Sequence, residues 1–110
     1  MIISDIRENL NAIFPTVYYS WEIGNVPPLP YIVYYFPGNN DAIADNANYC
    51  KILRLNVELY TKEKDLEAEA KIEHVLNDMG LVYTRSESYL NSENMYEVLY
   101  ESEVAINGTY

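Results

Sequence analysis

KILRLNVELYTKEKDLEAEAKIEHVLNDMG, residues 51–80, changes its hydrophobic period part-way along, and that change decides the fold. Leu53, Leu55, Val57 and Leu59 alternate with Arg54, Asn56, Glu58 and Tyr60. A period of two puts an apolar comb on one face of a strand and a polar comb on the other. From Asp65 to Met79 the period lengthens: Ala68, Ile72, Val75, Leu76 and Met79 recur at three and four, the spacing of one helix face. Glu67, Lys71, Glu73, His74 and Asp78 fall elsewhere on that wheel and stay wet. Gly80 follows where a helix end needs a residue tolerant of positive φ. The stretch therefore predicts a half-buried strand feeding an amphipathic helix that lies back on the sheet.

Downstream, Leu81 to Thr84 reads as a short strand, and Arg85 to Asn94 is polar with Tyr89 and Leu90 in its middle. Met95 to Ile106 reads as the last strand. Tyr96, Val98, Tyr100, Val104 and Ile106 share one parity; Glu97, Glu101 and Glu103 share the other, with Leu99 the exception. That is the pattern of an antiparallel strand with one wet face.

Upstream, residues 4–14 predict a first helix, capped by Ser4 or Asp5, with Ile6, Leu10, Ile13 and Phe14 as its apolar stripe and Pro15 as its stop. Val17 to Trp21 predicts a short strand whose buried face the pattern does not settle. Pro27, Pro28 and Pro30 lack amide donors, so residues 25–30 read as a rigid, extended connection rather than a paired strand. Tyr31 to Phe36 is almost wholly apolar or aromatic. It reads as a central strand, covered on both faces or covered on one and used as an interface on the other. Pro37-Gly38 signals a turn. Gly38 to Asn48, rich in Asn and Asp with Ile43 its one large aliphatic residue, reads as a polar loop, or as an arm ordered by a neighbouring subunit. The predicted order is α-β-β-β-α-β-β in one domain spanning residues 1–110. The class is α+β: a mainly antiparallel sheet with helices on one face.

Composition narrows function more by exclusion than by indication. The 110 residues carry 7 Lys and Arg against 17 Asp and Glu, a net charge of −10. Tight nucleic-acid binding needs clustered cations, and there is no basic run. A surface past which DNA slides without sticking fits the same charge. Twelve tyrosines against 2 Phe and 1 Trp suit half-wet surfaces, either sheet faces or subunit contacts. Cys50 is the single cysteine, so no internal disulfide forms and a reducing compartment is expected. The N-terminal residues lack the pattern of a signal peptide, and no apolar run is long enough to span a bilayer.

Catalytic and metal constellations are missing from the sequence pattern. Glu97, Glu101 and Glu103 invite a paired-carboxylate reading, but acids on the wet side of a strand more simply form a solvated face. His74, the one histidine, falls on the wet side of its helix without other soft ligands nearby. The acids of the 38–48 loop do not match a calcium loop. There is no phosphate-cradling glycine loop and no supported nucleophile set. No enzymatic activity, cofactor or metal is expected.

A set of ordered features is more informative. Pro30-Tyr31-Ile32-Val33-Tyr34-Tyr35 is followed by Ala44-Asp45-Asn46. Val57-Glu58-Leu59-Tyr60-Thr61 comes next with Lys64-Asp65, then the acidic helix, then Tyr89 and Glu93-Asn94-Met95-Tyr96. Over residues 30–106 this resembles the tail-terminator and tail-completion proteins of long-tailed phages, small proteins of the head–tail modules. The resemblance implies a structural virion protein, built in the host cytoplasm and resident in the tail neck. It implies a homo-oligomeric ring, a hexamer, that caps the tail tube, ends its polymerisation and meets the head connector or stopper protein. DNA passes the lumen without tight binding, and no membrane is involved. Tyr31, Tyr34, Tyr35, Ile43, Asp45 and Asn46 are the expected subunit-interface residues. Two alternatives remain at this point. One is another connector ring, a stopper or adaptor; the other is an acidic binding or inhibitor protein that mimics nucleic acid.

Overall fold

The computed structural model describes the backbone of residues 3–39, 42–44 and 47–106, and side chains over residues 5–39 and 52–105. Helix α1 spans Ile3–Asn11, and α2 spans Leu66–Asp78. The strands are β1 (Thr16–Tyr18), β2 (Tyr31–Asn39), β3 (Ala42–Ala44), β4 (Ala47–Thr61), β5 (Tyr83–Leu90) and β6 (Met95–Ile106). They form one sheet in the order β1-β2-β4-β6-β5, with β3 paired to β4. Among the described residues β1 and β2 run parallel and the other pairs are antiparallel. The fold is α+β, as the two hydrophobic periods require.

Register converts those periods into two faces. Ile32, Leu59 and Val98 lie side by side, as do Tyr34, Val57 and Tyr100, while Leu53 pairs with Val104. These residues join Leu55, Ile6 and Leu10 of α1, and Ala68, Ile72 and Leu76 of α2, in one core. Most of them are fully buried. At about 25 cal/mol per Å², each such side chain contributes roughly 1.5–3 kcal/mol of transfer free energy. Both helices thus serve the same sheet face.

The ends of α2 follow from its sequence. Asp65, extended at φ −131, accepts from Ala68 N at 3.0 Å and caps the first turn. Gly80 takes φ +73 and ends the helix, with its N–H donating to Asn77 O at 2.9 Å. Helix α1 stops at Asn11, three residues short of the expected end. The Asn11 side chain instead accepts from Thr16 N at 3.0 Å, so an amide acceptor takes over where the helix ladder ends.

Several strands also differ from the sequence reading. Strand β1 ends at Tyr18, short of the expected Trp21, because the chain turns at Tyr19 with φ +72. Strand β2 continues through Pro37 to Asn39, beyond the expected turn; the strain is taken by a register shift between Tyr35 and Gly38, the kind of bulge where a proline is tolerated. The expected polar loop over 38–48 contains β3 and the start of β4, a hairpin held by backbone bonds that needs no apolar comb. Strand β5 runs from Tyr83 to Leu90, where a short strand over 81–84 and a polar segment were expected. At the end of the sheet order, paired among the described residues with β6, it is mostly exposed and so carries no apolar alternation.

Candidate functional site on the open sheet face

The polar combs of β4 and β6 meet on the face opposite the helices. Register sets Tyr31 beside Tyr60 beside Glu97, then Val33 beside Glu58 beside Leu99, then Tyr35 beside Asn56 beside Glu101. The chain that leaves β1 turns at Tyr19, whose φ is +72, and returns over this face. Trp21 then meets Tyr31 edge-on with ring centroids 5.9 Å apart, and Tyr19 approaches Tyr35 at 5.8 Å. Tyr31 and Tyr60 lie 5.2 Å apart across β2 and β4.

Between the returning segment and the sheet is a cavity of about 340 Å³. Trp21, Tyr31, Tyr60, Glu58, Glu93 and Met95 are among its lining residues. Its floor holds an unusual polar group. The Tyr60 hydroxyl lies 2.8 Å from Glu97 Oε2 and 3.1 Å from Glu58 Oε1. A phenol carries one hydrogen, so it cannot fully satisfy two carboxylates at once. Burial, followed by the charge of Glu97, raises the Glu58 carboxyl above its ordinary value, while the bond from Tyr60 works the other way. Burial and the bond to Glu97 push the Tyr60 hydroxyl far up, so it stays protonated as a donor. Among the described residues no cation forms an ion pair with Glu58, Glu93 or Glu97.

The helix side carries a second polar cluster of opposite character. Glu69 is buried, and Lys64 Nζ lies 2.8 Å from its Oε2, while Arg85 Nη2 binds its other oxygen. Glu87 also meets both cations, and Glu73 accepts from the fully buried Tyr100 at 2.8 Å. Here three carboxylates share two cations, and every named group has a partner. This cluster joins α2 to β5 and β6 and has the character of a structural brace.

The residues expected at an interface separate. Tyr34 faces the helices, buried in the core against Tyr18 at 5.3 Å. Tyr31 is buried too, on the other face, beneath Trp21. Both rings are covered by their own chain, which moves the accessible part of that strand to half-buried Tyr35, whose hydroxyl accepts from Asn56 Nδ2 at 3.1 Å. Ile43 lies in β3, with its side chain outside the described residues; Asp45 and Asn46 lie outside them altogether, as does the Cys50 side chain. Exposed large apolar residues lie elsewhere: Tyr18, Tyr19, Ile23 and Val26 in β1 or the segment after it, and Leu66, Val82 and Tyr89 at other places on the surface. His74 is exposed, as its wheel position required, and lies 3.3 Å from Asp78. Among the described residues no group of three metal-type ligands converges, and no helix is long and apolar enough to cross a membrane.

No protein-family model matches the chain, and no curated protein matches its sequence.

Proposed function

We propose that this chain is a structural protein of a phage neck, a tail terminator whose copies close into a ring, of six subunits, on the end of the tail tube. The observation that carries the reading is the β3–β4 hairpin. Pairing of β4 with β6 ends at Lys51–Ile106, and pairing with β2 ends at Leu53–Asn39. Among the described residues, 47–50 therefore pair only with β3, as an arm that continues past the described ends of β2 and β6. An arm of this kind suits the heterologous, head-to-tail contacts from which a ring closes.

Two further features support it. Tyr18, Tyr19, Ile23 and Val26, close together in the chain, are exposed apolar residues of the kind that subunit contacts cover. Glu101 and Glu103 are exposed on the open face of a chain with net charge −10, and like charge along a lumen lets DNA pass without adhering. On this reading the ring ends tube polymerisation and offers its other surface to the head connector or stopper protein.

The test is to add the chain to growing tail tubes and to image the ends by electron microscopy. Capped tubes that stop elongating are expected. A variant with residues 42–50 replaced by a short turn is expected to keep its circular dichroism and to leave ends open. Tubes that elongate unchanged in the presence of the full chain would remove the proposal.

A further inference from the structure

We infer that the cavity beneath Trp21 is a binding site for the arginine side chain of a basic peptide segment from a partner protein. The inference stands on the cavity alone and does not need the ring.

The walls and the floor specify the same ligand charge. Trp21, Tyr31 and Tyr60 place three aromatic rings around the space, with neighbouring centroids 5.9 and 5.2 Å apart. Aromatic faces attract organic cations through the ring quadrupole, Trp most strongly. Glu58 and Glu93 line the same space, and Glu97 shares the Tyr60 hydroxyl with Glu58. These carboxylates have no cation partner among the described residues, whereas the helix-side carboxylate Glu69 has two. Partly desolvated acids without a counter-charge are costly, and a bound cation relieves that cost.

The shape and chemistry select among cations. Three metal-type ligands do not converge among the described residues, and aromatic walls offer nothing to a hydrated hard ion. A volume of about 340 Å³ admits one side chain with part of its backbone. A guanidinium is planar, stacks on aromatic rings and forks onto carboxylates, which an ammonium does less well. The space exceeds what a free guanidinium ion fills, which suits a side chain delivered on a peptide. A second copy of this chain is the poorer source, because its net charge of −10 opposes approach.

Trp21 is the one tryptophan, so its fluorescence reports on the cavity directly. The full chain is titrated with a capped Gly-Arg-Gly peptide, with its lysine counterpart and with a counterpart carrying citrulline, which keeps the shape of arginine without the charge. A saturable change in Trp21 emission is expected with arginine, weaker binding with lysine, and at least about tenfold weaker binding with citrulline. Glu58→Gln is expected to weaken arginine binding roughly tenfold without loss of folded signal; Glu93→Gln, at an exposed lining position, provides the same reading if the first variant folds poorly. Equal binding of arginine and citrulline, or no saturable change with arginine, overturns the assignment. A change in emission with protein concentration alone, blocked by Glu58→Gln, also overturns it by making a second copy the occupant.

Discussion

Tyr60 on β4 and Glu97 on β6 face each other as a register pair, and the tyrosine hydroxyl donates to the carboxylate at 2.8 Å while lying 3.1 Å from a second carboxylate, Glu58. One donor between two acids leaves the open face without a counter-charge among the described residues, in contrast to the cluster under α2, where two cations serve three carboxylates.

That imbalance has a pH signature. The folded-state Glu58 carboxyl is raised above its ordinary value of 4.5, first by burial and then by Glu97. The folded state therefore holds the Glu58 proton more tightly than the unfolded state does. Stability falls as pH rises from the ordinary carboxyl range through the raised value. Glu58→Gln carries no such proton. The variant is expected to lose this fall and to be more stable than the parent above that window, with little difference below it. Urea midpoints from about pH 4 to about pH 8 check this. The same substitution is expected to weaken arginine-peptide binding, so stability and binding should move in opposite directions.

The brace under α2 behaves differently. Glu69 is 3% exposed, and Lys64 and Arg85 both bind it. Glu69→Ala strands the two cations against a buried surface. Because their side chains keep about a third of their exposure, the expected cost is roughly 2–3 kcal/mol rather than the upper range for buried pairs. Urea unfolding near neutral pH measures it, with Glu87→Ala at the wetter rim as a control expected to cost much less.

Tyr34 and Ile23 test where the molecule keeps its free surface. Tyr34 is 5% exposed in the core, and Ile23 is fully exposed. Tyr34→Asp places an unpaired charge in that core and is expected to abolish cooperative unfolding. Ile23→Asp is expected to change stability by no more than about 0.5 kcal/mol while impairing assembly on tail tubes. Far-UV circular dichroism and thermal melts check the first expectation; tube-end counts check the second.

How far the sequence was legible depended on where the hydrophobic period was strong. The combs of residues 51–60 and 95–106 and the stripe of residues 65–79 placed β4, β6 and α2, and with them most of the core. The edge strand β5 was obscured because an exposed strand has no apolar face to reveal it, and the β3–β4 hairpin because Asn and Asp mark turns more readily than arms. In Tyr31 to Phe36 the alternation is hidden by aromatics on both faces, so Tyr34 and Tyr31 could not be separated by side. Nothing in the hydrophobic pattern marks Glu69 as buried; only the convergence of Lys64 and Arg85 on it accounts for its place inside. The cavity was the least legible feature. Glu58, Tyr60 and Glu97 were visible in two polar combs, but only register makes Tyr60 and Glu97 neighbours, and only the turn at Tyr19 brings Trp21 over them.

The most direct test of the central claim is the mass of the assembled species, measured by analytical ultracentrifugation over a wide concentration range, with and without tail tubes. The account predicts a closed species of six chains, in free solution or released from capped tube ends. A tight dimer, or a monomer that leaves tube ends uncapped at every concentration, would contradict it.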